Sequence, residues 1–147
     1  MKRILLALVM GLVASSAPAQ LFPLIRSHDA PPPVLQGIDA LRAEFAAQSG
    51  GTTVYFGAGS PVLTPPSRTV LVAQAAWLRR HPELIVRIEG YGDAGDTRDH
   101  ALAVGARRAE EARSYLVLLG VPSAQLSTTT WGKERPGLGR AVTILVR

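Results

Sequence analysis

Residues 90–109 read GYGDAGDTRDHALAVGARRA, and the order of the fold elements turns on them. Just upstream, LIVRIEGYG at 84–92 alternates Leu84, Val86 and Ile88 with Ile85, Arg87 and Glu89, the two-residue period of a strand. The strand runs into a glycine-rich loop that carries Asp93 and Asp96. From about Thr97 to Leu119 the pattern becomes helical, with Gly120 placed to close the helix and Pro122 just beyond.

At about 100° per residue, Ala101, Val104, Gly105, Ala109, Ala112, Tyr115, Leu116 and Leu119 fall on one broad arc of that helix. Arg107, Glu110, Glu111 and Ser114 fall outside it, but Arg108 falls inside, between Tyr115 and Ala101. A lone guanidinium near a core costs several kcal/mol, so Arg108 needs an anion. Asp93, at the end of the strand, is the first candidate. Two arrangements would satisfy both groups. In one, an internal salt bridge pins loop to helix, as charges near a core usually are. In the other, the groups stay apart and face one cleft. Asp93 then takes an ammonium and Arg108 a carboxylate by paired hydrogen bonds, a receptor for a zwitterion such as an amino-acid head group.

Working outward, TTVYFG at 52–57 reads as a strand. Thr64 is placed to cap a helix with Pro65 in its first position, and Val70, Ala73, Trp77 and Leu78 form its apolar stripe. His81-Pro82 stops it. LSTTTWG at 126–132 and RAVTILVR at 140–147 are the remaining strands. The order β-α-β-α-β-β predicts an α/β two-layer sandwich: a small mixed sheet covered on one side by two long helices. Residues 51–147 form the expected domain, about 100 residues and large enough to bury a core. Before it, 38–50 reads as a short helix packing on the domain through Ile38, Leu41 and Phe45. Residues 20–37 read as a Pro-rich linker, stiffened by Pro31-Pro32-Pro33.

The chain opens with Lys2 and Arg3, an apolar run from Ile4 to Val13, and Ser15-Ser16-Ala17-Pro18-Ala19. That is the layout of a secretory signal peptide over 1–19, cut after Ala19. The run is shorter than the roughly 20 residues a spanning helix needs, and no later stretch is apolar enough to be a transmembrane segment. With no cysteine, the exported chain relies on its core alone and carries no lipid on cysteine. The expected location is the periplasm, with any outer-membrane association made through a partner. Loss of Lys2 and Arg3 lowers the formal charge from +5 to +3. No Lys/Arg run is interleaved with aromatics, so nucleic acid is not an expected partner.

No glycine-flanked serine or Ser/His/Asp order points to a hydrolase, so the chain reads as no enzyme and as needing no cofactor. Asp93, Asp96 and Asp99 stand three apart, whereas a calcium loop places ligands at alternate positions and closes with a glutamate. His28, His81 and His100 are scattered with no cysteine to join them, so no metal site is expected. Asp96 and Asp99 are expected to favour the helix N-terminus by their charge. Trp77 and Tyr115 are expected in the core, and Trp131, at a strand end, fits core or surface.

The stretches VYFGAGSPVLTP, IEGYGDAGDTRDHALAVGARRA, YLVLLGV, LSTTTWGKERP and RAVTILV, in that order from about Thr53 to Arg147, resemble the OmpA-like C-terminal domain, also found in peptidoglycan-associated lipoproteins. The resemblance implies a periplasmic module that binds peptidoglycan non-covalently by the diaminopimelate zwitterion of its stem peptide. The family's ligand aspartate falls on Asp93 and its ligand arginine on Arg108, so Asp93 would receive the ammonium and Arg108 the carboxylate. Thr97 and the first N–H groups of the helix would assist. The chain departs from the family where Phe56-Gly57-Ala58-Gly59 lacks both acids of a Phe-Asp-x-Asp pattern, where Ala101 replaces an asparagine, and where His100 and Asp96 replace an aromatic residue and a glycine. The segment before the last strand is shortened to Gly137-Leu138-Gly139, and Arg140 is what remains of an Asn-Arg-Arg run. Each lost hydrogen bond to a charged ligand group would cost about 1.5–3 kcal/mol. These departures leave an alternative open: a domain that keeps the fold, has lost the wall ligand, and acts through outer-membrane or Tol-type envelope proteins.

Overall fold

The computed structural model describes residues 33–135 and 139–147, with side chains from residue 37 onward. The expected signal peptide, the linker up to residue 32 and positions 136–138 of the shortened segment lie outside the described residues.

Helix α1, Pro33–Gln48, begins ahead of the expected residue 38, so the linker expected over 20–37 gives way to helix at Pro33. Proline is well suited to a first helical position, where its missing N–H has no partner to lose; reading the prolines only as an extended spacer overlooked this. The helix ends before Gly50 and Gly51, whose φ values of 69° and 118° turn the chain out of it. Phe45 is buried against Trp77, ring centroids 5.1 Å apart. Arg42 donates through Nε and Nη2 to the Leu145 carbonyl at 3.2 and 3.0 Å, fastening α1 to the last strand.

Strand β1, Thr53–Tyr55, is shorter than the expected 52–57: the Phe56 N–H still reaches the Gly139 carbonyl in register (2.9 Å), but the Gly139 N–H leaves the ladder for the Gly92 carbonyl (2.9 Å). Helix α2, Pro65–Leu78, starts as expected, with Thr64 accepting from the Ser67 N–H. Its buried face runs through Ser67, Leu71, Gln74, Ala75, Trp77 and Leu78, while the expected Val70 and Ala73 are half-buried. The shift centres on Gln74, which an apolar-stripe reading passes over. Its amide is satisfied at both ends: it donates to the Gly51 carbonyl (3.1 Å) and accepts from the Thr143 hydroxyl (2.8 Å).

Strand β2, Val86–Tyr91, leads through the acidic loop to helix α3, Arg98–Leu118, capped by Thr97. A short 3-10 turn, Ser123–Gln125, precedes β3, Leu126–Gly132, and the chain closes with β4, Arg140–Leu145. The sheet order is β1-β4-β2-β3, with β4 antiparallel to β1 and β2, and β2 parallel to β3 across the α3 crossover. The expected small mixed sheet with helices on one face is therefore what forms. Val86, Ile88, Ala141 and Leu145 face the helices and are buried, together with Leu71, Leu78, Ala109 and Leu116. On the opposite face Glu89 is also buried, held by Arg87 (3.0 Å) and by the Tyr91 hydroxyl (3.0 Å).

The contact between α3 and β2 is made by backbone. A Cβ at Gly90 would lie 1.9 Å from the Gly105 carbonyl oxygen, and one at Gly92 would lie 2.4 Å from the Ala101 carbonyl oxygen. One glycine on the strand and one just past it thus let the first three turns of α3 lie flat on its end. At the far end Gly120 (φ 93°) forms a Schellman cap: its N–H reaches the Val117 carbonyl and the Val121 N–H reaches Leu116. Val121 and Leu116 are both buried, the apolar contact that goes with this cap.

Candidate functional site

Arg108 projects from α3 to the end of β2 and has no solvent exposure. Its guanidinium makes hydrogen bonds through Nη1 to Asp93 Oδ1 (3.0 Å) and the Tyr91 carbonyl (2.8 Å). Nη2 donates to Asp93 Oδ2 (3.1 Å) and the Gly57 carbonyl (2.9 Å), and Nε donates to the Ser60 carbonyl (3.0 Å). These bonds use every N–H the guanidinium has. The Phe56 ring lies 5.5 Å from its Cζ, adding a cation–π contact.

Of the two arrangements open in the sequence, the bidentate pair is the one present: Asp93 and Arg108 are in contact, fork to fork, and do not stand apart. The pair is asymmetric. The Asp93 side chain is 24% exposed whereas that of Arg108 is fully enclosed, so the carboxylate is the half that meets solvent. Asp93 Oδ2 also accepts the Gly59 N–H at 2.5 Å. Hydrogen bonding from Arg108 is the main reason the Asp93 carboxyl is held below the usual carboxylate range. Partial burial opposes that effect; the Gly59 N–H, the charge of Arg108 and the nearby His100 add to it.

The loop that lacks the Phe-Asp-x-Asp acids contributes backbone instead. Gly57 and Ser60 supply carbonyls to Arg108, and Gly59, at φ 63°, presents its N–H to Asp93. Sequence reasoning missed these three groups; the signal available was the glycine pair itself, since glycine enters the left-handed region without a Cβ penalty. Backbone bonds lace the surrounding loops together: Gly92 N–H to Gly132 (2.8 Å), Gly139 N–H to Gly92 (2.9 Å) and Phe56 N–H to Gly139 (2.9 Å).

Thr97, the third expected site residue, sits at the start of α3 on the same loop as Asp93. Its hydroxyl accepts the His100 N–H at 3.3 Å, so it caps the helix. Asp99 lies in the first turn of α3, as expected for a charge that favours the N-terminus. Asp96 stands just outside the helix, with Oδ2 3.8 Å from His100 Nε2. Among the described residues no three His, Asp or Glu side chains converge as a metal site. Trp77 is buried, Tyr115 is packed at the edge of the core, and Trp131 carries the Arg135 guanidinium 3.4 Å from its ring centroid.

Comparison with known proteins bears on the fold and the family. The OmpA family model matches residues 55–141, which include β2, the acidic loop and the whole of α3. The peptidoglycan-associated lipoprotein of Mesorhizobium japonicum is 41% identical over 86 residues, 58% of this chain and 51% of that protein. Its counterpart in Pseudomonas aeruginosa is 38% identical over 99 residues, 67% of this chain and 58% of that protein. The chain thus spans about half the length of the curated relatives it matches. Among solved structures, the peptidoglycan-associated lipoprotein from Burkholderia pseudomallei superposes with a TM-score of 0.62 at 32% identity, covering 65% of this chain and 91% of that one. The C-terminal domain of Helicobacter pylori MotB shares the fold, with a TM-score of 0.60 at 17% identity over 65% of this chain and 84% of its own. Fold, strand-to-helix loop and sequence match coincide over most of the domain, and the chain belongs to the OmpA family.

Proposed function

We propose that this domain binds peptidoglycan non-covalently in the periplasm, catalyses nothing, and keeps an envelope component at the cell wall. The observation that carries the reading is Asp93: a carboxylate held charged and partly exposed at the end of β2 by a buried arginine. The names of the relatives, peptidoglycan-associated lipoproteins, supply the ligand class. The diaminopimelate of the stem peptide offers an ammonium and a carboxylate on one carbon. Its ammonium pairs with Asp93. Because no N–H of Arg108 is unoccupied, its carboxylate reaches the guanidinium by exchange, displacing Asp93 from one side of the fork. One internal ion pair becomes two intermolecular ones, and no charge is left unpaired. Thr97 and the first N–H groups of α3 would help hold that carboxylate.

One observation favours a second reading. A saturated, bidentate Asp93–Arg108 pair is also what a domain would show that had lost the wall ligand and acts through outer-membrane or Tol-type envelope proteins. Co-sedimentation with purified diaminopimelate-type peptidoglycan separates the two. Under the first reading the wild-type chain pellets, while Asp93→Asn and Arg108→Lys stay in the supernatant with unchanged far-UV circular dichroism. A folded wild-type chain that stays in the supernatant would favour the second.

A further inference from the structure

We infer that His100 is a third ligand-binding group of this site, receiving the ligand carboxylate when the imidazole is protonated. The inference rests on the wall-binding reading above and adds to it a residue at which this chain departs from its family.

The argument starts from what an incoming carboxylate can reach. Arg108 is fully enclosed and every N–H is engaged within the protein, so it cannot be the first cation met. The other cations around the loop are engaged or point away. Lys133 donates through Nζ to the Asp96 carbonyl, Arg98 pairs with Glu134 at 2.6 Å, and Arg107 lies on the outer arc of α3. His100, in the first turn of α3, has a side chain 57% exposed. It is also close enough to Asp93 that its positive charge favours the aspartate's ionised form.

Asp96 gives the ring an orientation. Its Oδ2, 3.8 Å from His100 Nε2, is enclosed and has no hydrogen-bond partner among the described residues. A protonated imidazole carries an N–H on each nitrogen, so one can turn to Asp96 while the other serves the ligand. Asp96 stands beside the ring and Asp93 is within reach of its charge; Arg98 and Asp99 share the first turn of α3, Lys133 holds the Asp96 carbonyl and Glu134 pairs with Arg98. Imidazole is the side-chain group whose ordinary charge change lies between about pH 5 and 8. Asp93 is held below the usual carboxylate range and stays ionised throughout that window. His81 stacks on Trp77 beyond the end of α2 and takes no part in the loop.

The test is a calorimetric titration of the chain with a stem tripeptide ending in diaminopimelate, at about pH 5.5 and about pH 8. The wild type is expected to bind about two- to fivefold tighter at the lower pH, the range an exposed ion pair supplies. His100→Gln should bind at both pH values with the weaker affinity, and His100→Lys at both with the tighter. Equal wild-type affinity at the two pH values, with Asp93→Asn still abolishing binding, would overturn the role of His100 and leave the wall-binding reading standing. A pH effect that survives in His100→Gln would overturn it as well. No wild-type binding at either pH would overturn both.

Discussion

A guanidinium with no exposure is tolerable in this fold because each of its N–H groups meets an acceptor, two of them on one carboxylate. Asp93→Asn keeps the shape of that carboxylate and removes its charge, leaving Arg108 with carbonyls alone. Loss of one partner of such a pair should lower stability by about 3 kcal/mol, read as a fall in the urea midpoint at constant m-value. The pH dependence has a definite sign. Asp93 titrates lower in the folded chain than its ordinary value of 3.8, so its contribution is full above that value and is lost as pH falls through the folded value. The stability gap between wild type and Asp93→Asn should therefore be constant above about pH 5 and close towards pH 2, as unfolding curves at a series of pH values would show. At this scale the sequence was informative about side chains and silent about backbone. The helical wheel alone put Arg108 on the inner arc, and the acid expected at the end of the preceding strand, Asp93, proved to be its partner. The carbonyls of Gly57 and Ser60 were not legible, because their direction depends on the path of a loop some fifty positions away.

Between elements, close approach of backbones decides where the site sits. A methyl group at Gly90 would meet the Gly105 carbonyl at 1.9 Å, and no rotamer can relieve a clash with main chain. Gly90→Ala should lift α3 from β2 and cost about 3 kcal/mol in chemical denaturation. It should also move Arg108 away from Asp93, so loss of wall binding is expected even in the folded fraction. Gly120→Ala, at φ 93°, strains only the helix cap and should cost about 1–2 kcal/mol while leaving binding intact. The limits of α3 and β3 could be read closely, because a cap, a glycine stop and a strand period all agreed there. The buried face of α2 was misread because Gln74 lies at its centre, and a hydrogen-bonded glutamine gives no hydrophobic signal. Gln125 was invisible for the same reason: its side-chain amide donates to the His81 carbonyl at 2.7 Å and ties the β3 approach to the end of α2.

Across the whole molecule, element order predicted a mixed sheet under helices but not which strands would be neighbours. β4 inserts between β1 and β2, which brings Gly139, the loop after β1 and the end of β2 together at one end of the sheet. That convergence lets a loop without the Phe-Asp-x-Asp acids still hold the Asp93–Arg108 pair, through its backbone and the Phe56 ring. The architecture is shared with proteins as different in sequence as MotB, at 17% identity, so the fold by itself does not specify a ligand. The ligand is argued from the charged pair at the end of β2. The central claim is that a zwitterion exchanges into that pair, and its most direct test is nitrogen-15 NMR of the chain titrated with a diaminopimelate stem tripeptide. The account predicts saturable shifts of the Arg108 Nε–H and the Gly59 amide, the groups whose bonds to Ser60 and Asp93 must readjust. Saturable binding that shifts resonances elsewhere and leaves these two unmoved would contradict it.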